Sequence, residues 1–76
     1  MYLIRKFITE DHQETRLVVG YTYELENAVE SIEINYGEPD SIEDITGGKI
    51  LYYNKSGKKV AFWVREMSPI EKGDKF

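Results

Sequence analysis

A chain of 76 residues with no cysteine and one histidine cannot be stapled by disulfides or by a conventional zinc site, and a domain this small hides only about 60% of the surface its unfolded chain exposes. A formal charge of −4 and a pI near 4.9 oppose generic nucleic-acid binding, which needs surplus Lys and Arg. No charged leader precedes an apolar run and no stretch approaches about 20 apolar residues, so a cytoplasmic single domain is expected, with self-association as the remaining aid to stability.

From the N-terminus, Tyr2 to Ile8 has strand composition, and the polar run Glu10 to Glu14 suits a hairpin loop. Leu17, Val19, Tyr21, Tyr23 and Leu25 then alternate with Val18, Gly20, Thr22 and Glu24, the period-two signature of a half-buried strand, and Ile32, Ile34 and Tyr36 repeat it. The same region also fits a helical stripe through Tyr21, Leu25, Ala28, Val29, Ile32 and Tyr36, with Gly37 placed to stop it. Strands are the favoured reading because Thr, Tyr, Val and Ile prefer pleated surfaces, and a helix over about 22–35 is the alternative. Gly37-Glu38-Pro39-Asp40 is a turn, and Ser41 to Gly48 reads as a connecting loop or short turn.

The most informative stretch runs from Gly47 to Ser68 and reads as a β-hairpin bent at Asn54-Lys55-Ser56-Gly57, taken as a type I turn with Gly57 in the left-handed region. With Asn54 opposite Lys58, one face carries Ile50, Tyr52, Val60, Phe62 and Val64 and is apolar enough to be core. The other carries Lys49, Leu51, Tyr53, Lys59, Ala61, Trp63 and Arg65. A slip of one residue exchanges the two sets. Past Glu66 the polar run to Lys75 has little to bury, so the domain is expected over 1–68 with a mobile tail over 69–76. The expected fold is all-β, an antiparallel sheet of about five strands built from hairpins, with ββαββ as the alternative.

Chemistry for catalysis is sparse. His12 sits in an expected exposed loop beside Asp11, Gln13 and Glu14, where a solvated turn residue is the plain reading. The acids over 38–44 lack the ligand spacing and central glycine of a calcium loop, and Gly47-Gly48 lacks the Lys-Ser or Lys-Thr of a phosphate loop. No enzyme activity, metal or cofactor is expected. Charge, by contrast, is sorted: residues 1–16 balance at zero, 17–48 carry −8 and 49–76 carry +4.

Gly48, Ile50-Leu51, Tyr52-Tyr53-Asn54, Gly57, Val60-Ala61-Phe62-Trp63-Val64 and Ser68 form a pattern that resembles the small prokaryotic domains of the domain of unknown function 2283 family, over about Tyr23 to Ser68. The resemblance implies a mainly β domain and, by the association of such domains with small toxin-type genes, an antitoxin-like or accessory role. Tyr52 and Asn54 stand where that family usually has Asp, and Trp63 where it usually has Glu, so a role built on those carboxylates does not carry over.

These features together lead to the expectation of a non-enzymatic protein-interaction domain, self-associating as a homodimer or paired with a basic protein. Trp63 and Tyr53 are the expected anchors, Lys49, Lys59 and Arg65 line the same face, and Glu30, Glu33, Glu38 and Asp40 steer toward a cationic partner. Single-stranded nucleic acid stacked on Tyr53 and Trp63 is the alternative, and an acidic nucleic-acid mimic from a mobile element is a third.

Overall fold

The computed structural model describes residues 1–67. They form β1 (Tyr2–Glu10), β2 (Gln13–Thr22), α1 (Leu25–Tyr36), β3 (Ser41–Ile45), β4 (Gly48–Lys55) and β5 (Lys58–Glu66). The strands make one antiparallel sheet in the order β2-β1-β5-β4-β3. The helix packs on one face of it. Among the described residues no helix is long and apolar enough to cross a membrane. The C-terminal tail expected over 69–76 lies outside the described residues.

The five antiparallel strands match the expected sheet, but two segments exchange roles. Residues 25–36 are helical, as in the alternative reading, and Ser41–Ile45, read as a loop, is the fifth strand. Packing decides the first exchange: on a helix, Leu25, Ala28, Val29, Ile32 and Tyr36 all face the sheet, with Ala28 and Ile32 fully enclosed. A strand through Ile32, Ile34 and Tyr36 would bury Ile34 on the same face, and Ile34 is instead 76% exposed.

Among the described residues no side chain caps the N-terminus of α1, although Thr22 Oγ1 donates to the Glu24 carbonyl at 2.9 Å just ahead of it. Its last turn holds no basic residue of its own. Lys55 supplies one from the hairpin, its Nζ donating to the Tyr36 carbonyl at 2.9 Å, where the helix dipole is negative. Gly37, at φ 86°, ends the helix with its N–H on Glu33 O at 2.7 Å.

The β4–β5 turn has two residues rather than the expected longer bend. Ser56 and Gly57 both have positive φ, 52° and 79°, so Lys55 opposes Lys58 and Asn54 opposes Lys59. Such a turn matches the right-handed twist of its strands. It moves β4 one residue from the expected register. Leu51 and Tyr53 therefore face the helix with Val60, Phe62 and Val64, while Ile50 and Tyr52 share the other face with Trp63.

The core joins Ile4, Leu51, Val60, Phe62 and Val64 to Ala28 and Ile32, each large aliphatic or aromatic side chain contributing about 1.5–3 kcal/mol of burial. Rings lock the C-terminal end of the helix to the hairpin. Tyr36 meets Phe62 edge-on at 4.9 Å and Tyr53 at 5.4 Å, and Tyr53 meets Phe62 at 5.8 Å. Lys6 Nζ lies 4.5 Å from the centre of the Tyr36 ring.

Two outcomes test this packing. A Cβ on Gly48 would fall on the Val64 carbonyl, so Gly48→Ala is expected to cost about 3 kcal/mol in urea unfolding, the upper end of overpacking. The Tyr53 hydroxyl donates to Gly37 O at 2.8 Å, and burial pushes its pKa up, with the Glu33 and Asp40 carboxylates adding to the effect. The folded state thus favours the protonated phenol: its contribution is complete below about pH 10 and is lost as pH rises through the raised folded value. Tyr53→Phe is expected to cost about 1 kcal/mol at neutral pH and to flatten the alkaline fall in unfolding free energy.

Candidate binding face of the sheet

The face of the sheet away from α1 is covered by no element among the described residues. Along β1 it presents Leu3, Arg5, Phe7 and Thr9, and along β5 Lys59, Ala61, Trp63 and Arg65, because alternate side chains share a face. Arg16 and Glu14 come from β2, opposite Phe7 and Thr9. Ile50 and Tyr52 come from β4, opposite Trp63 and Ala61, and Glu43 from β3, opposite Ile50.

Trp63 lies near the middle, half-buried, and meets Phe7 at 5.7 Å with the rings inclined by 62°. The two sit on diagonal positions of neighbouring strands, within reach for aromatic side chains. Ile50, beside Trp63, is only 2% exposed although it faces away from the helix, which makes this part of the face a small second apolar layer. The Tyr52 hydroxyl donates to Glu43 Oε2 at 2.8 Å, and that hydrogen bond raises the phenol pKa. Leu3, Arg5, Phe7, Arg16, Trp63 and Arg65 line a depression of about 500 Å³ together with Glu14 and Glu66.

This face is richer in cations than the chain as a whole. By strand alternation Arg5, Arg16, Lys59 and Arg65 stand with Glu14 and Glu43, and Glu66 and Asp40 line hollows of the same face, so four cations meet four carboxylates on a chain of −4. Arg16 Nε is 3.4 Å from Glu14 Oε1 in an exposed pair of little energetic weight. Arg5 and Arg65 make no ion pair among the described residues.

The expected site residues divide. Lys59, Trp63 and Arg65 share the open face as anticipated, whereas Lys49 and Tyr53 lie on the helix side because of the shifted register. Tyr53, 2% exposed, is core and cannot be a surface anchor. Lys49 is paired with Asp44 at 2.6 Å. Glu30 and Glu33 border a separate hollow beside Lys49 and the helix, and Glu38 is exposed in the α1–β3 link. Asp40 is turned to the hairpin, its Oδ2 accepting the Asn54 N–H at 2.6 Å. Glu30, Glu33 and Glu38 lie apart from the open face, whereas Asp40 lines a hollow with Phe7, Thr9, Tyr52, Lys59 and Ala61 of that face.

Arg5, Phe7, Arg16, Ile50 and Tyr52 were missing from the expected site. The alternation Leu3, Arg5, Phe7, Thr9 carries a signal for the first two, since it pairs a ring and a cation on one face of the first strand. Among the described residues no three His, Cys, Asp or Glu side chains are grouped to hold a metal ion. Comparison with family models, curated proteins and solved structures gives no match.

A double-mutant cycle on Phe7→Ala and Trp63→Ala, read by urea unfolding, is expected to give a coupling of about 1 kcal/mol, the value of an edge-to-face pair.

Proposed function

We propose that this chain is a non-enzymatic protein-interaction domain that docks an acidic partner through the open face of its sheet. The observation that carries the reading is the half-buried Trp63–Phe7 pair at the centre of a bare face, ringed by Arg5, Arg16, Arg65 and Lys59. Trp, Tyr and Arg are the residues that most often supply binding energy at protein interfaces, and a central aromatic with a charged rim is the usual arrangement.

An isologous dimer through this face would bring the arginines around Trp63 together from both copies, so a foreign acidic surface is the better fit. The acids of α1 belong to the opposite side of the molecule and are available to a different contact. An antitoxin-like or accessory role rests on the family resemblance alone and fits a domain of this kind. Single-stranded nucleic acid is favoured by the four cations of this face. It is opposed by the loss of Tyr53 to the core and by the edge-to-face packing of Phe7 and Trp63, which leaves no parallel stacking platform.

Ala61 lies on this face between Phe7 and Tyr52. A photo-reactive benzoylphenylalanine at that position, used in the cells that make the protein, is expected to give a protease-sensitive adduct. Trp63→Ala is expected to weaken the contact by about 2 kcal/mol or more and to abolish that adduct. An adduct removed by nuclease, or one unchanged in a Trp63→Ala variant with native circular dichroism, would refute protein docking here.

A further inference from the structure

We infer that Arg16, Arg5 and Arg65 form a row that reads carboxylates, receiving an extended segment of the protein partner whose acidic residues are two positions apart. This rests on the protein-docking reading above and names the chemistry of what docks.

The three arginines come from β2, β1 and β5, which are adjacent in that order. Arg16 opposes Phe7 while Arg5 opposes Val18, so Arg16 and Arg5 are diagonal neighbours. Arg5 opposes Trp63 while Arg65 opposes Leu3, so Arg5 and Arg65 are diagonal neighbours too. Diagonal positions are about 7–8 Å apart. Side chains on one side of an extended peptide recur every second residue, roughly 6.6 Å. A segment with acids at alternate positions, laid obliquely across the strands, therefore meets one guanidinium after another.

The charges are available for this. All three side chains are exposed, and the weak Arg16–Glu14 contact is the one ion pair any of them makes among the described residues. Each planar guanidinium can hold a carboxylate through two parallel N–H donors, which a lysine cannot do. Three like charges along one diagonal repel each other in the empty face, and an anionic occupant relieves that repulsion. The floor between them, Leu3, Phe7 and Trp63, is apolar and lowers the local dielectric. Glu14 and Glu66 line the same depression, leaving three guanidiniums against two carboxylates there, a balance that suits a peptide with spaced charges better than a continuous phosphate chain.

The test is fluorescence anisotropy at low salt with three labelled probes: the peptide Gly-Glu-Thr-Glu-Thr-Glu-Gly, its isomer Gly-Thr-Thr-Glu-Glu-Glu-Gly, and a ten-nucleotide oligothymidylate. The alternating peptide is expected to bind about tenfold more tightly than its isomer, and more tightly than the oligonucleotide. Arg5→Glu and Arg65→Glu, both at exposed positions, are each expected to weaken it by about tenfold or more, with Arg5→Lys recovering only part of the loss. Equal binding of the two peptides, tighter binding of the oligonucleotide, or indifference to charge reversal would overturn the arginine row. If the Ala61 cross-link to a protein persists in Arg5→Glu, protein docking stands and only the row fails. An Ala61 cross-link that is protease-resistant and nuclease-sensitive removes both.

Discussion

The left-handed backbone at Ser56 and Gly57 governs the rest of the molecule, because it fixes which residue of β4 meets which residue of β5. A side chain on Ser56 tolerates φ 52° at some cost, and the return is a two-residue turn whose twist agrees with the sheet. That register sends Leu51 and Tyr53 under the helix. Tyr53 then joins Tyr36 and Phe62 in the ring cluster, and Lys55 reaches the end of α1. Had the pairing moved by one position, Tyr52 would have faced the helix in place of Tyr53.

The consequence for function is a division of labour between the faces. One side carries α1, with Glu26, Glu30 and Glu33 on the helix; the other carries the arginines and the indole. A chain-wide charge of −4 therefore says little about what either surface attracts, since a field felt within a Debye length, about 8 Å at physiological ionic strength, is local. Among the described residues the helix covers one face and leaves the other to water, as antiparallel sheets permit. On that second face only Ile50 is thoroughly enclosed among the described residues.

How much of this could be read beforehand follows from what periodicity measures. The outward set of β5, Lys59, Ala61, Trp63 and Arg65, was legible because its neighbours Val60, Phe62 and Val64 leave no doubt which side is inward. In β4 the run Ile50, Leu51, Tyr52, Tyr53 is apolar or aromatic at every position, so alternation carries no sign and the turn alone had to decide. Residues 25–36 fit both periods. Their helical state is settled by the close approach of Ala28 to the sheet, a tertiary fact that no local pattern encodes. Ser41–Ile45 holds Glu43 and Asp44 and is mostly exposed, an edge strand that exists because β4 supplies its hydrogen bonds.

The outermost strand on the other side, β2, has ten residues and leaves Leu17, Val18 and Val19 at 49–64% exposure along its rim. Its pairing with β1 jumps from Gly20 opposite Ile4 to Val18 opposite Arg5, so Val19 is a bulged extra residue without an opposite number. A uniform rim of that length and greasiness would invite further chains to lengthen the sheet without limit. The interruption at Val19 breaks the rim into two shorter stretches of different twist, which guards the protein against fibre growth where its sequence is most prone to it.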